Sequence, residues 1–119
     1  MSDGLSAAGY QPRMDTTTAF IRSSRNGTVE VVVNFGLLSG REATEAEADR
    51  LGRRVCDVTG AVQVHGVRTH DMGPSSEAIV SQVVVRADAP ASDAETIRSI
   101  CEEWAIECAQ ERSIEPLGF

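Results

Sequence analysis

Aromatic residues are scarce in this chain: three Phe, one Trp and one Tyr among 119 residues. A core that cannot draw on many rings must be aliphatic, built mainly from Val, Ile, Leu and Ala. At this length it is the core of a single domain. Long apolar runs are missing too. No stretch approaches the roughly 18 consecutive apolar residues that a membrane-spanning helix needs, so no membrane partner is expected. Residues 1–14 hold neither a basic segment nor an apolar one, which predicts no secretory signal peptide. Cysteine is confined to Cys56, Cys101 and Cys108, an odd count whose spacing suggests no disulfide framework. These absences together point to a reducing, cytoplasmic setting. Basic residues are outnumbered, 11 against 18 acidic ones, for a net charge of −7. Binding a phosphate backbone relies on a basic surface that releases counterions, so the charge balance argues against nucleic acid as a partner. The acidic balance itself reads as that of an ordinary soluble protein.

What is present is a succession of short β-prone and amphipathic segments. Residues 1–15 are rich in Gly, Ser and Ala without periodicity and read as a flexible N-terminal arm. Residues 16–119 then read as one α+β domain. A β-prone run over residues 16–22 and another over 28–36 flank Asn26-Gly27, the pair favoured by a type I′ hairpin turn because both positions need positive φ. After a loop over 36–43, Thr44 and Glu47 form a capping box. Behind that box, Ala48, Leu51, Val55 and Val58 recur at helical spacing, with Gly60 as the stop. Residues 61–69 alternate as a strand, 71–76 supply a turn, and 77–87 form a second apolar strand. A second capping box at Ser92 and Glu95 opens a helix to about residue 112, striped by Ile97, Ile100, Cys101, Trp104 and Cys108. The last residues, 113–119, carry no pattern of their own, though Ile114, Leu117 and Phe119 suit a return to the core.

The order is ββαββα, and the two halves share one plan: hairpin, loop, capped helix. Two helices with one apolar stripe each must cover one face of a sheet. The expected architecture is therefore a two-layer α+β sandwich, a four-stranded sheet with two helices on one face. With residues 28–36 and 77–87 placed parallel at the centre and their hairpin partners at the edges, the topology resembles a permuted ferredoxin-like arrangement, its last strand moved to the front. Alternation puts Val29, Val31, Val33 and Phe35 under the helices, with Ile79, Val83, Val85 and Ala87. The opposite face then carries Val32, Val80, Val84 and Ala78, with either Ala19 and Ile21 or Thr18 and Phe20 from the first strand. A solvated face should be polar. Either the central strands are simply apolar runs, or a second copy of the chain covers them, which predicts a homodimer through the open sheet face.

Chemistry-bearing residues are few. His65, Arg68, His70 and Asp71 lie on or just after one strand. A bulge at Gly66 would gather His65, Arg68 and His70 on the open face, where with Asp71 they would make a weak anion or substrate site. Surface or hydrogen-bonded histidines are the plainer reading. Several strand steps separate the two rings, too many for a shared metal, so neither metal nor cofactor is expected. Cys101 and Cys108 share the stripe of Trp104 and read as buried structural thiols. Cys56 would become a nucleophile only if a histidine approached it. The loop beginning at Gly36 fits no phosphate-binding fingerprint and reads as a connector. Arg50, Arg53 and Arg54, interleaved with acids, read as a solvated helix face. No catalytic spacing emerges. The sequence thus favours a self-associating accessory, assembly or regulatory module without catalysis of its own, with room for a protein partner. A small-molecule site, enzymatic or not, near residues 61–71 in a dimer cleft is the alternative.

Overall fold

The computed structural model describes residues 17–114, so the readings for 1–15 and 115–119 lie outside the described residues. Asn26 and Gly27 have φ of 59° and 74°. Positive values at both central positions make the tight two-residue turn that the Asn-Gly pair favours. That turn joins β1 (Ala19–Arg25) to β2 (Thr28–Val33). A short helix α1 (Phe35–Ser39) follows, then α2 (Glu45–Cys56), β3 (Val62–Met72) and β4 (Glu77–Asp88). A single 3-10 turn, Ala91–Asp93, leads into α3 (Ala94–Ile114).

The fold is α+β with one open four-stranded sheet, ordered β1-β2-β4-β3. The two apolar strands are central neighbours, as their composition suggests. They run antiparallel rather than parallel, with Val31 opposite Val85 and Val33 opposite Val83. Parity explains the correction. A helical crossover returns β3 in the direction of β2, and the tight hairpin then forces β4 to run the other way. Every neighbouring pair is consequently antiparallel.

All helices pack on one side. Contacts join α3 to β1 and β2, α2 to β3, and α2 to α3. Beneath them lie Val29, Val31, Val33, Val83, Val85 and Ala87, in one cluster with Leu51, Val55, Ile97, Cys101, Trp104 and Cys108. The indole of Trp104 donates from Nε1 to the Glu47 carbonyl at 2.9 Å, so the largest core side chain also ties α3 to α2. Thr44 and Glu47 form the anticipated capping box. The Ser92–Glu95 box does not mark the start of α3. The chain winds through the 3-10 turn first, and Glu95 pairs with Arg98 instead.

Two further departures bear on function. The loop after β2 is helical: the strand stops at Val33, and Asn34, buried, accepts from Gln82 Nε2 and donates to the Thr17 carbonyl. Phe35 thus leaves the strand yet stays fully buried, its ring centroid 5.1 Å from that of Trp104. Helix α2 ends at Cys56 rather than at Gly60, which leaves Val58 half exposed. Arg53 is a solvated face residue paired with Asp49, whereas Arg54 and Arg50 reach across to Glu107 and Glu111 of α3.

Candidate functional site

Strand β3 carries all four sequence-derived candidates, and its register with β4 is continuous from Val62↔Ala87 to Met72↔Glu77. No bulge interrupts it at Gly66. Alternation therefore stays strict, and the four side chains divide between faces. Arg68 and His70 share the helix side with Val62 and Val64. His65 and Asp71 share the open side with Val67. All four are exposed. The expected single-face cluster does not form, because nothing resets the pleat of β3; the register shift that does occur among the described residues is in β1, between Ile21 and Ser23.

Asp71 borders a shallow recess at the hairpin turn, and Arg68 lines a deeper one. A cleft of about 460 Å³ opens between the start of α2 and the middle of the β3–β4 hairpin. Its floor is apolar: Phe35, Ala43, Ala48, Val64 and Val83. Its rim is polar: Glu42, Thr44, Glu45, Arg68, Ser81 and Gln82. Across the mouth the Arg68 guanidinium pairs with the Glu42 carboxylate, both about half exposed. Such exposed pairs contribute little to stability and exchange readily with other partners. Gly66 keeps the floor open, since a Cβ placed there would meet nothing within 4 Å. A glycine inside a strand signals either a bulge or a place where something must come close. Here there is no bulge, and the space beside Gly66 is open, while Glu42 lies in a loop without any sequence pattern to mark it.

The walls of the cleft are firm. Arg41 grips both carboxylate oxygens of Glu47 at 2.9 and 2.8 Å, and its guanidinium lies 5.1 Å from the Phe35 ring centroid. That fork, reinforced by the Thr44 backbone N–H, holds the Glu47 carboxyl down to about 2 against the opposing effect of burial. The loop from α1 to α2 is pinned at both ends of its arginine.

The thiols divide clearly. Cys101 and Cys108 are buried, and desolvation pushes Cys101 up to about 12, which keeps it protonated and unreactive. Cys56 is exposed at the end of α2. Among the described residues no three His, Cys, Asp or Glu side chains gather as a metal-binding group, and no helix is long and apolar enough to cross a membrane.

On the face away from the helices, Val32 and Val84 form the apolar centre opposite each other in the register. They are 1% and 6% exposed, so this centre is already shielded. Phe20, not Ala19 or Ile21, is the first-strand residue that joins them, since Phe20 pairs with Val32. An Arg22–Glu30 ion pair at 3.0 Å borders the patch, and its hydrogen bond lowers the Glu30 carboxyl.

Exposed apolar side chains concentrate elsewhere. In the far half of the hairpin Met72 and Ile79, on the helix side, are exposed by 69% and 58%, while Val67, at the middle of β3 on the open side, is exposed by 38%. Leu37 of α1, 60% exposed, flanks a small recess together with Ile79. No protein-family model, no curated protein and no solved structure matches this chain.

Proposed function

We propose that the protein is a small self-associating module, a homodimer acting as an accessory, assembly or regulatory part without catalysis of its own. The observation that carries this is the far half of the hairpin, where Met72 and Ile79 stand exposed on the helix side of the sheet, Ile79 beside Leu37. Apolar side chains grouped in this way are commonly the mark of a docking surface. The centre of the open face offers less, because Val32 and Val84 have little surface left to bury. Self-association is therefore assigned to the hairpin end of the sheet, with the open face as its continuation. The strand order, antiparallel throughout, supports reading the fold as ferredoxin-like with the last strand moved to the front. Three cysteines outside any disulfide support a reducing, cytoplasmic setting. Light scattering on the purified chain tests the proposal: the expected mass is twice 12.7 kDa, reduced toward one chain by Ile79→Asp. A single-chain mass at every concentration would overturn it.

The cleft at Arg68 favours a second reading, a site for a small ligand with an apolar body and an anionic group. Arg68 would exchange Glu42 for that group, while Phe35 and Val64 take the body. Small aromatic and aliphatic carboxylates should then raise the melting temperature of the native chain and not that of Gly66→Leu, in which the cleft is filled. No shift across such a panel would remove this reading.

A further inference from the structure

The two edges of the sheet are built differently. β1 is short, kinked at Arg22, and Arg98 reaches over to its Ala19 carbonyl at 3.5 Å. These devices blunt an edge against strand pairing. β3 has none of them: it runs straight for 11 residues, with no proline, lysine or bulge. Its backbone bonding can be worked out from the ends of the hairpin. The Gly73 N–H donates to the Ser76 carbonyl at 2.8 Å, and the Asp88 N–H donates to the Ala61 carbonyl at 2.9 Å. In an antiparallel pair the bonded positions alternate. The odd-numbered residues of β3 therefore bond to β4, and Val62, Val64, Gly66, Arg68, His70 and Met72 direct their N–H and C=O groups outward. Among the described residues nothing takes up those groups.

We propose that β3 pairs with the β3 strand of a second copy, antiparallel about a two-fold axis at Val67, to make one continuous eight-stranded sheet. This rests on the self-association reading above and places the contact along the whole β3 edge, of which Met72 is the hairpin end. Val67 is the midpoint of the strand, and this register alone uses the whole of it. Outward-facing residues then meet as bonded pairs, Gly66 with Arg68, Val64 with His70 and Val62 with Met72, so every free backbone group finds a partner. Like charges never meet: on the open side Val67 faces its own copy, His65 faces Thr69 and Gln63 faces Asp71. A register one step on would instead set Arg68 against Arg68, which is destabilising. On the helix side the second copy's Arg68 comes beside Gly66, where no side chain occupies the space and Glu42 and Glu45 line the wall. The flank of α2 above the edge is also open. Ala48, Gly52 and Cys56 face a groove of about 410 Å³ over Val62 and Val64, which leaves room for the second copy's His70 and Met72. Main-chain bonds of this kind supply affinity, and the alternating side chains set the register.

Cysteine cross-linking in a Cys56→Ser background tests the register. In the proposed dimer the two positions 67 are a non-bonded pair with Cα atoms about 4.5 Å apart, within disulfide reach. Val67→Cys should form a covalent dimer under mild oxidation, and a mixture of His65→Cys with Thr69→Cys should cross-link where either alone does not. Arg68→Pro removes one outward N–H while leaving the bonds to β4 intact, and should weaken dimerisation at least tenfold with an unchanged circular dichroism spectrum. A native dimer that Arg68→Pro leaves undisturbed, and in which Val67→Cys stays uncoupled, overturns the edge pairing but not self-association. A chain that is monomeric at all concentrations overturns both.

Discussion

The two ends of the β3–β4 hairpin obey the same alternation and have opposite fates. Near the chain ends of the hairpin, Val83, Val85 and Ala87 lie under the helices at 3%, 0% and 0% exposure. Four residues before Val83 on the same side of β4, Ile79 is 58% exposed. The sequence pattern does not change between them; the helical layer ends. Gly36 marks where it ends, since a Cβ there would lie 2.9 Å from the Ser81 carbonyl oxygen. The lesson is that an alternating strand specifies which face a side chain takes, whereas the length of the neighbouring layer decides whether that face is dry. An apolar side chain beyond the roof contributes nothing to the monomer's core and is free to serve an interface.

Breaking the roofed end should have the largest consequence. Trp104→Ala removes a fully buried ring and its bond to the Glu47 carbonyl, and should cost about 3–5 kcal/mol, read as a lower midpoint in urea. Next is the boundary itself. Gly36→Val forces α1 away from Ser81 and should cost roughly 1–3 kcal/mol by overpacking. Smaller again is the clamp at the start of α2. The Glu47 carboxyl is held below its ordinary range, so its contribution is complete above about pH 4.3 and is lost as pH falls toward 2. Glu47→Gln should cost about 1–2 kcal/mol at neutral pH and flatten that part of the acid unfolding profile. The least effect belongs to the open end: Ile79→Ser should change monomer stability by no more than ~0.5 kcal/mol while reducing self-association. A large loss of monomer stability from Ile79→Ser would erase the contrast between the two ends.

Much of the fold is legible in short windows. Asn26-Gly27 announces a turn because few residue pairs accept positive φ in succession, and Thr44 with Glu47 announces a helix start because the orphan amides there need acceptors. The stripe of Ile97, Cys101, Trp104 and Cys108 gives the buried face of α3. Residues 34–40 were less legible. Phe35 looks like one more step in the alternation of β2, and only the ties of Asn34 to Thr17 and Gln82 show that the chain has already turned. The candidate site was harder still. Arg68 was visible as a charge on a strand, but Glu42, its partner across the cleft, lies 26 positions away, and Gly66 presented itself as a kink when it serves as an opening.

Taken alone, the amino-acid order determined the four strands, the two long helices and most of the core, though not α1 or the exposure of Val58 and Ile79, because each of the former depends on contacts a few positions apart or on a simple period. Tertiary structure decided the antiparallel centre of the sheet, the division of His65 and Asp71 from Arg68 and His70, and the point at which the helical roof stops short of the hairpin. Those outcomes depend on which distant segments touch, Gly36 against Ser81 above all, and no local window contains both members of such a pair.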